Sequence, residues 1–132
     1  MLYRATRLVL PILLGLVDSA GGTETTKPVL SLAMHYTHAH DRMLEAGYHA
    51  FRVIPPDTEA YKQHFAFRDE IPRRFPEAVE CAPTGKSPCN FLFIRGEDEI
   101  VEITTTGERP DTMRVRNIRA LTPHQAESLY EK

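Results

Sequence analysis

The chain has 132 residues, with 16 basic and 18 acidic side chains and a formal net charge of −2. This length suits one domain with one modest core. The slightly acidic balance argues against nucleic acid or an anionic membrane surface as a partner, because both attract basic surfaces.

The first 22 residues have the layout of a secretory signal peptide. Two arginines precede an apolar run at residues 8–17, and small residues follow it. The run is shorter than the ~18 residues that a membrane span needs. We therefore expect cleavage before Thr23 and no membrane span afterwards. Residues 23–132 are expected to form a single α+β domain in the periplasm or outside the cell.

Residues 29–51 are predicted to form one long amphipathic helix. At 100° per residue the apolar side chains fall on one broad arc, which we expect to pack on a sheet. His40 lies inside this arc, so we predict a buried histidine with a hydrogen-bond partner. The apolar arc consists of Leu32, Tyr36, Ala39, Met43, Leu44, Ala46, Ala50 and Phe51.

The middle of the chain is less sharply patterned. Two prolines at 55 and 56 end the first helix, and the next two residues can cap a second helix over residues 59–70. The alternation in residues 64–68 (HFAFR) also fits a strand, so both alternatives stay open. Residues 71–76 are predicted to be a loop.

The C-terminal half is predicted to be an antiparallel meander that ends in a short helix. An irregularity is expected near Asn117, and residues 122–125 have the pattern of a capping box with proline at the first helical position. The fold class is thus α+β: a long N-terminal helix packed on a three- to four-stranded antiparallel sheet, with a short C-terminal helix. The predicted strands are residues 78–80, 90–95, 99–106 and 112–121.

Cys81 and Cys89 are the only cysteines in the chain. Because export is expected, a disulfide between them is the expected state. A catalytic dithiol more usually shows Cys-x-x-Cys spacing at the start of a helix. Zinc is not expected either, because two cysteines do not make a ligand set and no histidine is near in sequence.

The tip of the cysteine loop matches the end of a P-loop only by chance. The glycine that a P-loop requires five residues earlier is Glu80 here, and a strand follows the loop instead of a helix. A short loop closed by a disulfide is preorganised, and this lowers the cost of binding a partner. We interpret the tip as a partner-binding element, while a purely structural staple remains the alternative. The tip consists of Thr84, Gly85, Lys86 and Ser87.

The layout of residues 79–106 resembles the lysozyme inhibitors of the bacterial envelope, in which a cysteine-closed loop precedes a strand–turn–strand. That family's loop is shorter and carries a histidine and an aspartate, which this loop lacks. The resemblance implies a protein that inserts its loop into a cleft. We therefore expect a small exported, non-enzymatic binding protein, an inhibitor or immunity protein for a cell-envelope enzyme or toxin.

The alternative function is a small periplasmic metal- or ligand-binding protein. His35 and His38 share a helix face at i, i+3 spacing, and histidines in an exported protein suit copper or zinc. His49 would lie roughly 16 Å from His38 along the helix axis, too far to join the same ion. A solvated helix face is the simpler explanation of this pair. Common catalytic motifs are absent from the sequence, and no cofactor is expected.

Overall fold

The computed structural model describes residues 27–52, 59, 63–65, 68–83 and 86–130. The predicted signal peptide therefore lies outside the described residues, as do Thr84 and Gly85. In the described part of the chain, no helix is long and apolar enough to cross a membrane. The elements, in chain order, are α1 (Tyr36–Glu45), β1 (His49–Ala50), α2 (Glu70–Arg74), β2 (Ala78–Cys81), β3 (Cys89–Arg95), β4 (Glu99–Thr106), β5 (Arg114–Leu121) and α3 (Pro123–Tyr130).

The strands form one antiparallel sheet with β3 at its centre. β4 pairs along one edge of β3, and β5 pairs with the far edge of β4. The other edge of β3 is shared, because β2 pairs with its first half and β1 with its second half. The α+β class is confirmed, and the sheet has five described strands where three or four were predicted.

The predicted long helix was wrong in length, because α1 has only ten residues. The chain before it pairs with the edge of β5: the amide of Ala33 donates to the carbonyl of Val115 at 2.7 Å, and the amide of Val115 donates to Met34 at 2.9 Å. Ala33 also has a φ of +71°, which no right-handed helix accommodates. Strand-edge hydrogen bonds therefore replace the first turns of the predicted helix.

A glycine ends α1 earlier than the sequence pattern suggested. Gly47 has a φ of +90°. Its amide donates to the carbonyl of Leu44, and the amide of Tyr48 donates to Met43, both at 3.0 Å. These two bonds define a Schellman motif, which satisfies carbonyls at the end of the helix. The chain then enters β1, so His49 lies in a strand and not on the helix.

The buried stripe of α1 is narrower than the predicted arc. Tyr36, Ala39 and Met43 are buried, as expected for positions that share one helix face. Leu32 is 63% exposed. It precedes α1, so the angle predicted for it on a longer helix has no meaning in the structure. Leu44 is 48% exposed, since it lies one residue beyond the stripe. The prediction that these two leucines pack on the sheet was wrong.

Residues 60–62 and 66–67 of the second helix predicted over residues 59–70 lie outside the described residues. Residues 59 and 63 are helical, but residues 64–65 form a turn, so that helix does not continue to residue 70. A separate short helix, α2, begins at Glu70, the last residue of the predicted helix, and continues through residues 71–74, which were predicted to be a loop. Pro72 fits its first turn, where the missing amide N–H has no partner to lose.

The C-terminal features follow the sequence closely. The amide of Thr122 donates to Gln125 Oε1 at 2.9 Å, and the amide of Gln125 donates to Thr122 Oγ1 at 3.2 Å. The predicted capping box of α3 is thus confirmed. The β4–β5 ladder shifts register between Thr104 and Thr105, which pair with Asn117 and Val115. This shift confirms the expected irregularity near Asn117.

Side chains are buried on both faces of the sheet. Alternate residues of β3 point to opposite faces, so Phe91 and Phe93 pack under α1 while Leu92 faces away. On the far face, Leu92 joins a smaller cluster that includes Ala126 of α3. The larger core lies between α1 and the sheet, and α2 contributes Ile71 to it.

Gly47→Ala should destabilise the protein by about 1–2 kcal/mol, because a Cβ atom disfavours positive φ. The added Cβ would meet only Arg95 Cδ at 3.6 Å, an ordinary contact, so the cost isolates the backbone conformation. Gly47→Asn should cost less, because asparagine visits this region more readily. Urea unfolding of the three proteins checks this. Equal stability of Gly47→Ala and wild type would contradict the helix end described here.

Candidate functional site

The disulfide loop begins and ends on neighbouring strands. Cys81 and Cys89 are paired across β2 and β3, with their Cα atoms 4.0 Å apart, and they form a disulfide. Both sulfur-bearing side chains are buried. The amide of Ala82 donates to the carbonyl of Pro88 at 2.8 Å, which continues the pairing into the loop. The expected disulfide is thus present, and it fits an oxidising compartment.

A second contact ties the loop to the turn that joins β4 to β5. The amide of Gly107 donates to the carbonyl of Lys86 at 2.9 Å. Gly107 has a φ of +128°, and a Cβ atom there would lie 2.7 Å from the carbonyl oxygen of Thr112. Only glycine fits this backbone, so the turn residue that meets the loop is fixed by geometry.

Arg68 holds the same region from the side. Its guanidinium donates to the carbonyl of Gly107 at 3.2 Å and also to the carbonyl of Glu108. Another of its nitrogens lies 3.7 Å from the Sγ atom of Cys89. One cation therefore joins the disulfide to the turn. Arg68 could not be singled out from the sequence, because its partners lie 21 to 40 residues away and no local pattern marks them.

The four residues predicted to bind a partner differ in exposure and in whether the structure describes them. The side chain of Lys86 is exposed and forms no ion pair with another described residue. Ser87 is partly buried and has a φ of +51°, which bends the chain sharply before Pro88. Thr84 and Gly85 lie outside the described residues. The structure thus fixes the backbone of Lys86 and leaves its ammonium group exposed.

Two surface cavities border the loop. One, of about 360 Å³, lies between Lys86 and the turn at residues 106–112. The other, of about 470 Å³, lies against both ends of the loop and is lined by Glu80 and Asn90, among others. In that second cavity Asn90 Nδ2 donates to Glu80 Oε1 at 2.9 Å, so the carboxylate already has a partner.

A buried polar cluster lies between α1 and the segment before β2. Glu77 is only 2% exposed and accepts two hydrogen bonds on one carboxylate oxygen. The hydroxyl of Tyr36 donates to this oxygen at 2.6 Å, and His40 Nδ1 lies 2.5 Å from it. The ring of His40 also packs edge-on against Phe75. The prediction of a largely buried, hydrogen-bonded His40 is confirmed, with its side chain 17% exposed.

The cluster shifts the titration of both donors. The hydrogen bond to Glu77 raises the pKa of His40, and this outweighs the opposing effect of burial. Burial raises the pKa of Tyr36 well above its ordinary value, and the charge of Glu77 adds to this effect. Tyr36 therefore stays neutral and donates at any physiological pH, while His40 holds its proton to higher pH than a free histidine.

A histidine held by a carboxylate is also an arrangement used in acid–base catalysis. Neither cavity beside the loop is lined by Tyr36, His40 or Glu77. The cluster links α1 to the segment before β2. Glu77 was missed in the sequence, because it lies 37 residues from His40 in a stretch without a motif.

His35 and His38 do come together, as their spacing suggested. Their rings meet edge-on with centroids 5.8 Å apart. Within the described ranges, no group of three or more potential metal-ligating His, Cys, Asp or Glu side chains is found. Two imidazoles alone make an incomplete ligand set for zinc or copper. His35 also has a structural role, because its backbone bridges to Arg114 at the edge of β5.

Comparisons with known proteins do not identify a relative. No protein-family model, curated protein or solved structure matched this chain. The function is therefore inferred from the geometry of the disulfide loop, of the turn beside it and of the cavities that border them.

The stability contributed by His40 should depend on pH. Because its folded pKa is raised, the contribution is full below about pH 6.5, the pKa of an unfolded histidine, and is lost as pH rises through the folded value. Asp41 acts in the same direction as Glu77, whereas Arg74 opposes them. Wild type should thus lose stability between mildly acidic and mildly alkaline pH.

Urea unfolding at several pH values checks this against His40→Gln, which cannot titrate and should show a flatter profile. The matched control is His38→Gln, an exposed position on the same helix, which should keep the wild-type profile. If His40→Gln and wild type follow the same pH dependence, the pair with Glu77 does not set the titration of His40.

Proposed function

We propose that this protein is a small exported binding protein that presents the Cys81–Cys89 loop to a protein partner. One observation carries the proposal: the loop is fixed at its ends by the disulfide and in its middle by the Lys86–Gly107 hydrogen bond, yet the Lys86 side chain is exposed. A loop that is already ordered loses little conformational entropy when it binds.

The proposed partner is an enzyme or toxin of the cell envelope, and the proposed role is inhibition or immunity. A disulfide persists in an oxidising compartment, so the protein would meet this partner in the periplasm or outside the cell. A disulfide-closed loop in which the backbone of Lys86 is already held suits insertion into a concave site, where an exposed ammonium group can pair with acidic residues of the partner.

The competing hypothesis is that the loop only staples one edge of the sheet. The disulfide by itself fits that hypothesis, because it closes the β2–β3 connection. A staple does not require the further contacts of Arg68 with the turn, nor the tight glycine at 107. These contacts fix the position of the loop relative to a second surface segment, as a preformed binding surface requires.

Lys86→Glu tests the proposal. Immobilised protein is used to capture partners from the envelope fraction of the native cell, and the affinity of any stoichiometric partner is then measured. Reversing the charge should weaken binding by roughly 2 kcal/mol, because the new carboxylate faces acidic groups of the partner. The stability should stay within about 0.5 kcal/mol of wild type, since Lys86 is a surface position.

The matched control is Lys27→Glu, the same charge reversal at another exposed lysine, which lies beside the end of α1. It should leave the affinity unchanged. Equal affinity of wild type and Lys86→Glu would remove the loop from the interface. Equal losses for both lysine variants would point to long-range attraction and not to a contact at the loop.

A further inference from the structure

The cavity between the loop and the β4–β5 turn has the features of an anion site. It has a volume of about 360 Å³ and lies where the Lys86–Gly107 hydrogen bond joins two surface segments. This bond fixes the spacing of the two backbone segments that border the cavity. Its lining residues are Lys86, Thr106, Gly107, Glu108, Thr112 and Arg114.

The lining carries two cations and one carboxylate. Lys86 forms no ion pair with another described residue, and the same holds for Arg114 within the described part of the chain. Arg114 is nonetheless held in place, because its Nη1 donates to the carbonyl of Ala33 at 2.8 Å. A guanidinium has five N–H donors, so one such bond orients the group and leaves others for a ligand. Glu108 is exposed and reduces the net positive charge.

The neutral side chains that line the cavity leave recognition of a ligand mainly to the charged ones. Thr112 Oγ1 already donates to the carbonyl of Arg109 and accepts from its amide, so this hydroxyl is used within the turn. Recognition therefore depends mainly on the two cations. With Glu108 also in the lining, the cavity keeps a small net positive charge, which favours an anionic ligand. A planar carboxylate matches the fork of an arginine.

Building on the proposed function, we infer that this cavity receives the carboxylate of an aspartate or glutamate side chain of the partner protein. Lys86 supplies a point charge from the loop, and Arg114 supplies directional donors from β5. The partner segment would cross the junction between the disulfide loop and the turn. The partner is thus expected to present an acidic residue at its surface or in its cleft.

The test uses a small probe and does not depend on having the partner. Blocked glutamate (N-acetyl-glutamate amide) is titrated into the isotope-labelled oxidised protein, and backbone amide shifts are followed by NMR. Blocked glutamine is the uncharged control. Glutamate should shift the amides of Lys86, Gly107 and Thr112 saturably, whereas glutamine should not. Residues around Lys27 should be unaffected by either probe.

Two variants assign the contacts. Lys86→Gln should weaken binding of blocked glutamate roughly threefold, the size of one exposed ion pair. Arg114→Lys keeps the charge but loses the planar fork, and it should also weaken binding. It is the safer change at this position, because a lysine can still donate to Ala33 and so preserve the strand edge. Lys27→Gln should have no effect.

The inference is overturned if glutamate and glutamine give the same shifts, or if glutamate shifts Lys27 as strongly as Gly107. That result would not touch the proposed function, because Lys86→Glu could still lose the partner through another contact. Conversely, a cavity that binds glutamate while Lys86→Glu keeps the partner would establish an anion site but refute both the proposed interface and a partner side chain as the ligand of that site.

Discussion

The pairing of β3 on both of its edges is the constraint on which the rest of the structure depends. This strand carries β4 along one edge and both β1 and β2 along the other. Its aromatic side chains pack under α1, while Leu92 packs in the smaller cluster on the opposite face. The disulfide loop is simply the connection into this strand. One end of the loop is therefore attached to the most heavily paired strand described, while its other end is on β2, which pairs with β3 alone among the described strands.

Two polar arrangements fasten the outer elements to this centre by different means. Inside the core, Glu77 accepts from Tyr36 and His40 and so joins α1 to the start of β2. Burying a carboxylate is costly unless it is well paired, so this contact favours one placement of the helix over others. At the surface, Arg68 joins the disulfide to the β4–β5 turn through carbonyl oxygens. Placing the Arg68 guanidinium there costs less free energy than burying the Glu77 carboxylate, because the region around Arg68 is partly solvated.

The sequence predicted the features that depend on neighbouring residues. Alternation located β3 and β4, and the capping box at Thr122 located the start of α3, because each signal lies within a few residues of the element it defines. The ends of α1 could not be predicted from its periodicity. Its beginning is set by hydrogen bonds from Ala33 to β5, some 80 residues later. Glu77 and Arg68 could not be predicted for the same reason, because their contacts form only when segments that are distant in sequence come together. Cysteine count and expected compartment were enough to predict the disulfide, but not what surrounds it.

The central claim is that the loop is held in its binding conformation before any partner arrives. The amide hydrogen of Gly107 reports on this most directly, because it is bonded to the carbonyl of Lys86 in the free protein. Hydrogen exchange by NMR on the free oxidised protein should show this amide protected at least about tenfold relative to an unstructured glycine. Reduction of the disulfide should lower that protection while β3 and β4 stay protected. Exchange of the Gly107 amide at the rate of an unstructured glycine, in the oxidised protein without a partner, would contradict the account.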